Sequence, residues 1–281
     1  MSDAANANAS QITYWNEAAG PIWVAMQDDL DAQLQPLGLA AMNALAPKSG
    51  DRVIDVGCGC GATSLALARR VGTEGRVLGV DISEPMLGVA RGRAAAQGLA
   101  RATFVEADAQ SRAFDPADAM FSRFGVMFFA DPTAAFANIR KALLPAGRLA
   151  FVCWQAAANN PWMTAPMAEV APLLPAPPTP AEPGAPGPFA FADPVRLRGI
   201  LESAGFKGVV IQPHSQMIGW PDLDTAARVA IRVGPVGAAV REHPQMIDAV
   251  SAAVRRTFER HLTDEGVRLE SATWIVTASA A

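Results

Sequence analysis

The chain has few of the residues that hold metals, disulfides and proton relays. Its only cysteines are Cys58, Cys60 and Cys153, and its only histidines are His214, His243 and His261, among 281 residues. Three cysteines make no disulfide framework, and Cys58 with Cys60 lacks the second pair that zinc spacing requires. No metal site is expected. There is no Lys/Arg run, and a net charge of -4 gives no general attraction to nucleic acid or anionic lipid. Nowhere do about 18 apolar residues follow one another. Met1 to Ser10 has neither the basic patch nor the apolar stretch of a signal peptide. Membrane insertion is therefore not expected, and the cytoplasm is the expected compartment. What remains is a globular chain, 51% hydrophobic and 18% charged, long enough to bury a large core. Its expected partners are small molecules.

The informative stretch is Asp55-Val56-Gly57-Cys58-Gly59-Cys60-Gly61, which follows the apolar pair Val53-Ile54 and leads into Thr63-Ser64-Leu65-Ala66-Leu67-Ala68. It reads as a strand, a glycine turn and a helix. Glycines at alternate positions let the backbone take positive φ and let a ligand approach the main chain. The spacing alone leaves two ligand classes open, because Gly57, Gly59 and Ala62 also satisfy the dinucleotide pattern. Asp81, closing Gly79-Val80-Asp81, suits either, since a carboxylate there accepts ribose hydroxyls. Asp55 would repel a pyrophosphate and attract a cationic amine. Asp108, in Glu106-Ala107-Asp108-Ala109, is placed to accept from an adenine amino group.

Taken in order, the chain divides into four parts. Residues 1–46 read as a helical cap in which Met26, Leu30 and Leu34 fall about one turn apart, Pro36 interrupts, and a second helix runs from Leu39 to Leu45. Residues 47–154 alternate short apolar runs with helical segments: strands at 52–56, 76–81, 102–106, 119–123 and 147–154, helices at 62–71, 84–97 and 133–144. Ser83 with Pro85 and Asp131 with Pro132 open the last two helices. Residues 155–192 hold nine prolines between Pro166 and Pro188. A floppy linker and a lid both fit, and the framing aromatics Trp154, Trp162, Phe189 and Phe191 favour the lid. Residues 193–281 give a helix to Ala204, a strand at 209–212, a helical insertion over 216–263 and a last strand at 269–277, expected antiparallel at or near the sheet edge. The predicted fold is α/β, a doubly wound and mostly parallel Rossmann-like sheet.

The run Val53 to Gly61, the run Val80-Asp81-Ile82-Ser83-Glu84-Pro85-Met86-Leu87, the stretch Glu106 to Ala109, and Leu201-Glu202-Ser203-Ala204-Gly205-Phe206 together resemble the class I S-adenosylmethionine-dependent methyltransferases, and within them the ubiquinone and menaquinone biosynthesis group. The resemblance implies a seven-stranded sheet with its last strand antiparallel, S-adenosylmethionine as cofactor, and methyl transfer to a small apolar or aromatic acceptor. It implies that Asp55 and Gly57 hold the methionine amino end and that Gly59 and Gly61 leave room for the cofactor. Asp81 would hold the ribose, Ile82 and Met86 would flank the adenine, Asp108 and Ala109 would read its edge, and Ser122 and Arg123 would border the methionine. Tyr14-Trp15-Asn16 is similar to the segment that closes over the cofactor in relatives. The acidic residue expected near the fourth strand has two candidates, Asp115 and Asp118, either of which could simply cap a turn.

Methyl transfer needs alignment and exclusion of water rather than a nucleophilic side chain. A general base is required only for a weakly acidic acceptor. His214, after the sixth strand, is the foremost candidate, against the plainer reading of a satisfied or surface histidine. Trp15, Met127, Trp162, Phe189 and Trp220 are candidates for an acceptor pocket, against ordinary core packing. A helical insertion as long as 216–263 also leaves a homodimer contact open. Two other functions stay open: a nicotinamide-dependent oxidoreductase, and a binding protein that kept the fold without catalysis.

Overall fold

The computed structural model describes residues 8–175, 182 and 184–280. Pro177, Pro178, Pro180 and Pro183 of the expected lid lie outside them. The N-terminal residues Ala9–Ala25 form short helical pieces that include a π turn at Tyr14–Ala18. They lead into α1, Gln27–Leu45. Here the expectation of two helices broken at Pro36 is corrected. Pro36 lies inside one continuous helix, on its exposed side, while Leu30, Leu34, Leu37, Met42 and Leu45 bury the opposite stripe. That burial outweighs the roughly 3 kcal/mol that an interior proline costs.

The alternating pattern then folds as predicted through five parallel strands: β1 Arg52–Val56, β2 Arg76–Asp81, β3 Ala102–Glu106, β4 Ala117–Arg123 and β5 Leu143–Trp154. The crossovers are α2 Ala62–Val71, α3 Glu84–Ala96 and α4 Pro132–Ala142, with Asp131 capping the last by accepting from the Ala134 N–H. Helix α5, Pro161–Val170, and helix α6, Pro194–Ser203, precede the long strand β6, Phe206–Trp220. Helices α7 Leu223–Ala230, α8 Gly234–Glu242 and α9 Ile247–Glu259 follow, then the two-residue β7 Leu262–Thr263 and β8 Gly266–Ala280.

The sheet order is β3-β2-β1-β4-β5-β8-β6, with β7 attached to β8. Only β8 in that path runs antiparallel, and it lies near the edge as expected, with β6 outside it. The sixth strand is much longer than the predicted 209–212, and residues 216–220, expected to be helical, are its far end. The reason is pairing that no local pattern reveals: β6 is registered on β8 from Phe206↔Ala280 to Trp220↔Val267, whereas β5 covers β8 only as far as Trp154↔Thr273.

Beyond Trp154 the two strands continue without β5, and this overhang carries a second hydrophobic core. Trp220, Val267 and Leu269 pack there with Met26 and Leu30 from the N-terminal region, Val170 of α5, Val229, Val236, Val254 and Phe258. Part of the 155–192 stretch is therefore not loop: α5 buries Met163, Pro166 and Val170. The main core fills both faces of the sheet around Phe121, Phe136, Phe151 and Phe206. Strand order reverses between β1 and β4, and in open α/β sheets that point creates a crevice at the strand ends.

Candidate functional site

A cavity of about 450 Å³ opens at that crevice. Its polar end is built by the turn after β1 and the ends of β2 and β3. Gly57 (φ 67°) and Gly59 (φ 54°) line it in the left-handed region. A side chain at Gly57 would place its Cβ 2.5 Å from the Gly125 Cα, so this glycine is required by the contact between two turns as well as by its φ. Gly61 (φ 82°) does not line the cavity. Its added Cβ would fall 2.9 Å from the Ala90 Cβ, so Gly61 lets α2 approach α3 and the room it was expected to leave for a cofactor goes to helix packing.

Asp81, at the end of β2, accepts from the Gly59 N–H (2.8 Å) and the Ser83 N–H (3.0 Å) and lines the cavity. Burial raises its pKa from the ordinary carboxylate value, opposed by the backbone N–H donors of Gly59, Ser83 and Ile82. Asp108 accepts from the Gln110 N–H (2.9 Å) and from Asn8 Nδ2 (3.2 Å). Ile82, Met86 and Ala109 complete this end. Tyr14 and Trp15 lie over it, held by Asn16, which donates to the Ile82 carbonyl (2.7 Å) and accepts from the Glu84 N–H (3.0 Å). Ser83 Oγ adds a bond to the Trp15 carbonyl (2.7 Å).

Asp55 does not line the cavity. It is fully buried behind the turn, where one carboxylate oxygen accepts from Thr63 Oγ1 (2.7 Å) and Ser64 Oγ (2.6 Å) and the other has no partner. Burial pushes its pKa up to about 6, against the two hydroxyl bonds. Ser122 is also buried away from the cavity, donating to the Val56 carbonyl (2.7 Å) and accepting from the Gly125 N–H (3.2 Å). It ties the β1 and β4 turns together and does not line the cavity. Burial keeps both turn cysteines as thiols, Cys58 raised well above the ordinary value and Cys60 to about 12.

At the waist of the cavity Arg123 finds the anionic partner its apolar context demands. Asp31 of α1 receives Arg123 (3.0 Å) and Arg93 (2.9 Å). Past the waist the lining turns apolar. Phe124 stands at φ 64°, a conformation uncommon for a non-glycine residue, and stacks on Trp154 at 4.2 Å between ring centroids. Trp154 in turn meets Trp162 at 4.9 Å, and Met127, Met163, Trp23 and Trp220 continue the wall. Of the expected acceptor-pocket residues, Trp15, Met127, Trp162 and Trp220 are therefore brought together. Phe189 is not: its neighbour Pro188 reaches the cavity while Phe189 packs on the main core.

His214 is also elsewhere. It pairs with Thr273 in mid-strand, where alternation on the β6–β8 ladder holds it outside the cavity. Asp118 forms the surface pair with Arg52 (3.0 Å), so that candidate serves as an ion-pair partner. Asn8, Asp31 and Gln33 line the cavity and have no local sequence signal, since each arrives through long-range packing. Among the described residues no cluster of His, Cys, Asp and Glu could hold a metal ion, and no helix is long and apolar enough to cross a membrane.

With this geometry in place, the chain can be set beside known proteins. The doubly wound sheet with one antiparallel strand and a nucleoside-sized crevice at its switch point defines the class. A family model described as a methyltransferase domain matches residues 53–147. Aklanonic acid methyltransferase DauC of Streptomyces sp. (strain C5) is 35% identical over 119 residues, 41% of this chain and 54% of that protein. A demethylmenaquinone methyltransferase of Thermus thermophilus is 38% identical over 112 residues, 39% of this chain and 50% of that protein. The match thus spans about half the length of these relatives. A SAM-dependent methyltransferase structure from Aquifex aeolicus superimposes with a TM-score of 0.51 at 15% identity, covering 92% of this chain and 97% of the other. Residues 53–147 match a methyltransferase domain, and the chain has the fold of the S-adenosylmethionine-dependent methyltransferase structures.

Proposed function

We propose that the protein transfers a methyl group from S-adenosylmethionine to a small, apolar or aromatic acceptor. The observation that carries this is the continuity of the cavity: one space runs from the carboxylates of Asp81 and Asp108, past the glycine turn, into an aromatic lobe. The residues present fit that cofactor. Asp81 and Asp108 keep lone pairs beyond those their backbone and Asn8 bonds use, suited to ribose hydroxyls and an adenine amino group. Ile82 and Met86 offer apolar flanks to a flat base. Asp55, with one unpartnered oxygen behind Gly57, places negative charge near an amino group bound at the turn.

When bound, the cofactor supplies a methyl group activated by a positively charged sulfur. The chain's part is to orient the two molecules along one line and to keep water out, which Phe124 stacked on Trp154, with Trp162 tilted against the latter, does for the acceptor end. The small-molecule names of the two relatives above support the same acceptor class. Calorimetry of the intact chain with S-adenosylhomocysteine and, separately, NADH tests the reading. Binding of the first and not the second is expected, and the reverse result overturns it.

The same proposal places the protein in the cytoplasm, supported by three free, buried cysteines. It takes the described part of residues 155–192 as cover for the acceptor lobe, supported by Trp162, Met163, Pro166 and Pro188 in the lining. A homodimer is part of the proposal too, and sedimentation is the measurement that checks it.

A further inference from the structure

We infer that a second, smaller cavity beside the glycine turn binds free diphosphate, a small anion charged at both ends. This cavity is a groove of about 250 Å³ between α1, α2 and the end of α3. Its charged lining is Asp31 of α1, Arg69 of α2, Arg93 of α3 and Arg123 of β4, three guanidinium groups to one carboxylate. Asp55, buried behind the turn, also attracts Arg123. With both carboxylates counted a cation is still left over, and that excess favours an anionic guest. Asp31 has little more to offer the arginines, because it already accepts from Arg123 Nη2 (3.0 Å), Arg93 Nη1 (2.9 Å) and Gln27 Nε2 (2.8 Å). Arg69 is held only by a neutral group, the Gln97 amide oxygen. Among the described residues, Nε and one terminal nitrogen of each of the three arginines have no partner. These are charged donors, the kind that phosphate oxygens accept from best.

The cations are strung along the groove rather than gathered at one point. Arg123 enters at the end marked by Thr63, passing beneath Gly38 of α1. A Cβ on Gly38 would lie 2.9 Å from the Arg123 Cδ and 3.7 Å from the Thr63 Cγ2. Glycine is disfavoured inside a helix, and here it makes the space that Arg123 occupies. Arg69 stands almost two turns beyond Thr63 on α2, a rise of about 9 Å. Arg93, one turn before Gln97 on α3, lies along the same groove. A guest charged at one end would leave the other end uncompensated, whereas diphosphate brings oxygens to both. Neither Arg69 nor Arg93 lines the large cavity, so the groove is a separate site that shares only Asp31 and Arg123 with it.

The test is calorimetric titration of the full chain with inorganic pyrophosphate at constant ionic strength, with inorganic phosphate and succinate as comparisons. Pyrophosphate is expected to saturate one site per chain and to bind about tenfold or more tighter than either. Arg69→Gln is expected to weaken it about fivefold or more, and Arg70→Gln, the same charge change on the next residue and outside the lining, to leave it within about twofold. Both arginines are exposed, and thermal melting checks that both variants fold. Pyrophosphate is expected to bind equally with saturating S-adenosylhomocysteine present. No saturable binding, phosphate or succinate binding as tightly, variants that weaken pyrophosphate alike or not at all, or its displacement by S-adenosylhomocysteine overturns the inference. A chain that shows the expected pyrophosphate pattern and does not bind S-adenosylhomocysteine keeps the groove and loses the methyl-transfer reading, so the two fail separately.

Discussion

The two ends of the cavity are built from different material. The polar end, proposed for the nucleoside, is largely main chain: two left-handed glycines, N–H groups that reach Asp81, and a carboxylate at the end of each of two neighbouring strands. The acceptor end is side chain, contributed by α1, the turn after β4, α5, the overhang of β6 and the helices that follow it. Backbone geometry tolerates few substitutions, because a glycine at positive φ in van der Waals contact has no replacement. A wall of aromatic and methionine side chains can be recomposed at similar volume. On the proposed function, the first end fixes what is bound and the second is free to decide what is modified.

Substitutions test that division, the most severe first. Gly57→Ala puts a Cβ against the Gly125 main chain and forces an alanine to φ 67°. A loss of about 2–4 kcal/mol in urea unfolding is expected, from overpacking plus the disfavoured conformation; a loss under ~1 kcal/mol would mean that the turn is softer than the contact implies. Asp81→Ala should weaken S-adenosylhomocysteine binding about ten- to hundredfold by calorimetry, corresponding to lost hydrogen bonds to a charged group worth about 1.5–3 kcal/mol. An unchanged constant would move the nucleoside elsewhere.

Asp55→Asn makes a subtler, pH-dependent difference. The folded-state pKa is raised, to about 6 from 3.8, so the contribution of this group favours folding below pH ~4 and is lost as pH rises through about 6. At pH 7 the charged carboxylate is a burden, and the variant should unfold at higher urea, by on the order of 1–2 kcal/mol after allowing for its new amide. At pH 4 the gain should vanish. A gain that does not change with pH contradicts the assignment. Least of all, His214→Gln should leave methyl-transfer rates within about twofold, since His214 lies outside the cavity; a large drop would mean that the acceptor extends to the outer face of β6.

The same contrast explains what could be read from the chain before folding. The turn from Asp55 to Gly61, the Asp81 terminus and the crossover helices are specified within a few residues of themselves, and each was found in place. The resemblance put Gly61 and Ser122 at the ligand, whereas neither lines the cavity, because their neighbours, Ala90 and the Val56 carbonyl, belong to distant segments. The acceptor end was legible only as composition. Residues 216–220 look helical alone and become strand because β8 pairs with them; Pro36 looks like a break and is carried by the buried stripe around it. Gln33 carries no signal at all until α1 is laid against β6.

The contact between Gly57 and Gly125 has a bearing on how such a chain can change over generations. A Cβ on Gly125 would meet the Gly57 Cα at 2.6 Å and the Val56 carbonyl oxygen at 2.7 Å, the mirror of the constraint on Gly57. Neither position can acquire a side chain, and shrinking the other cannot compensate, since both are already as small as residues become. The pair is thus frozen against drift in a way that no salt bridge or core contact is, for those can be exchanged partner by partner. Anyone redesigning the acceptor lobe may rewrite the helices above it and must copy these two positions unchanged.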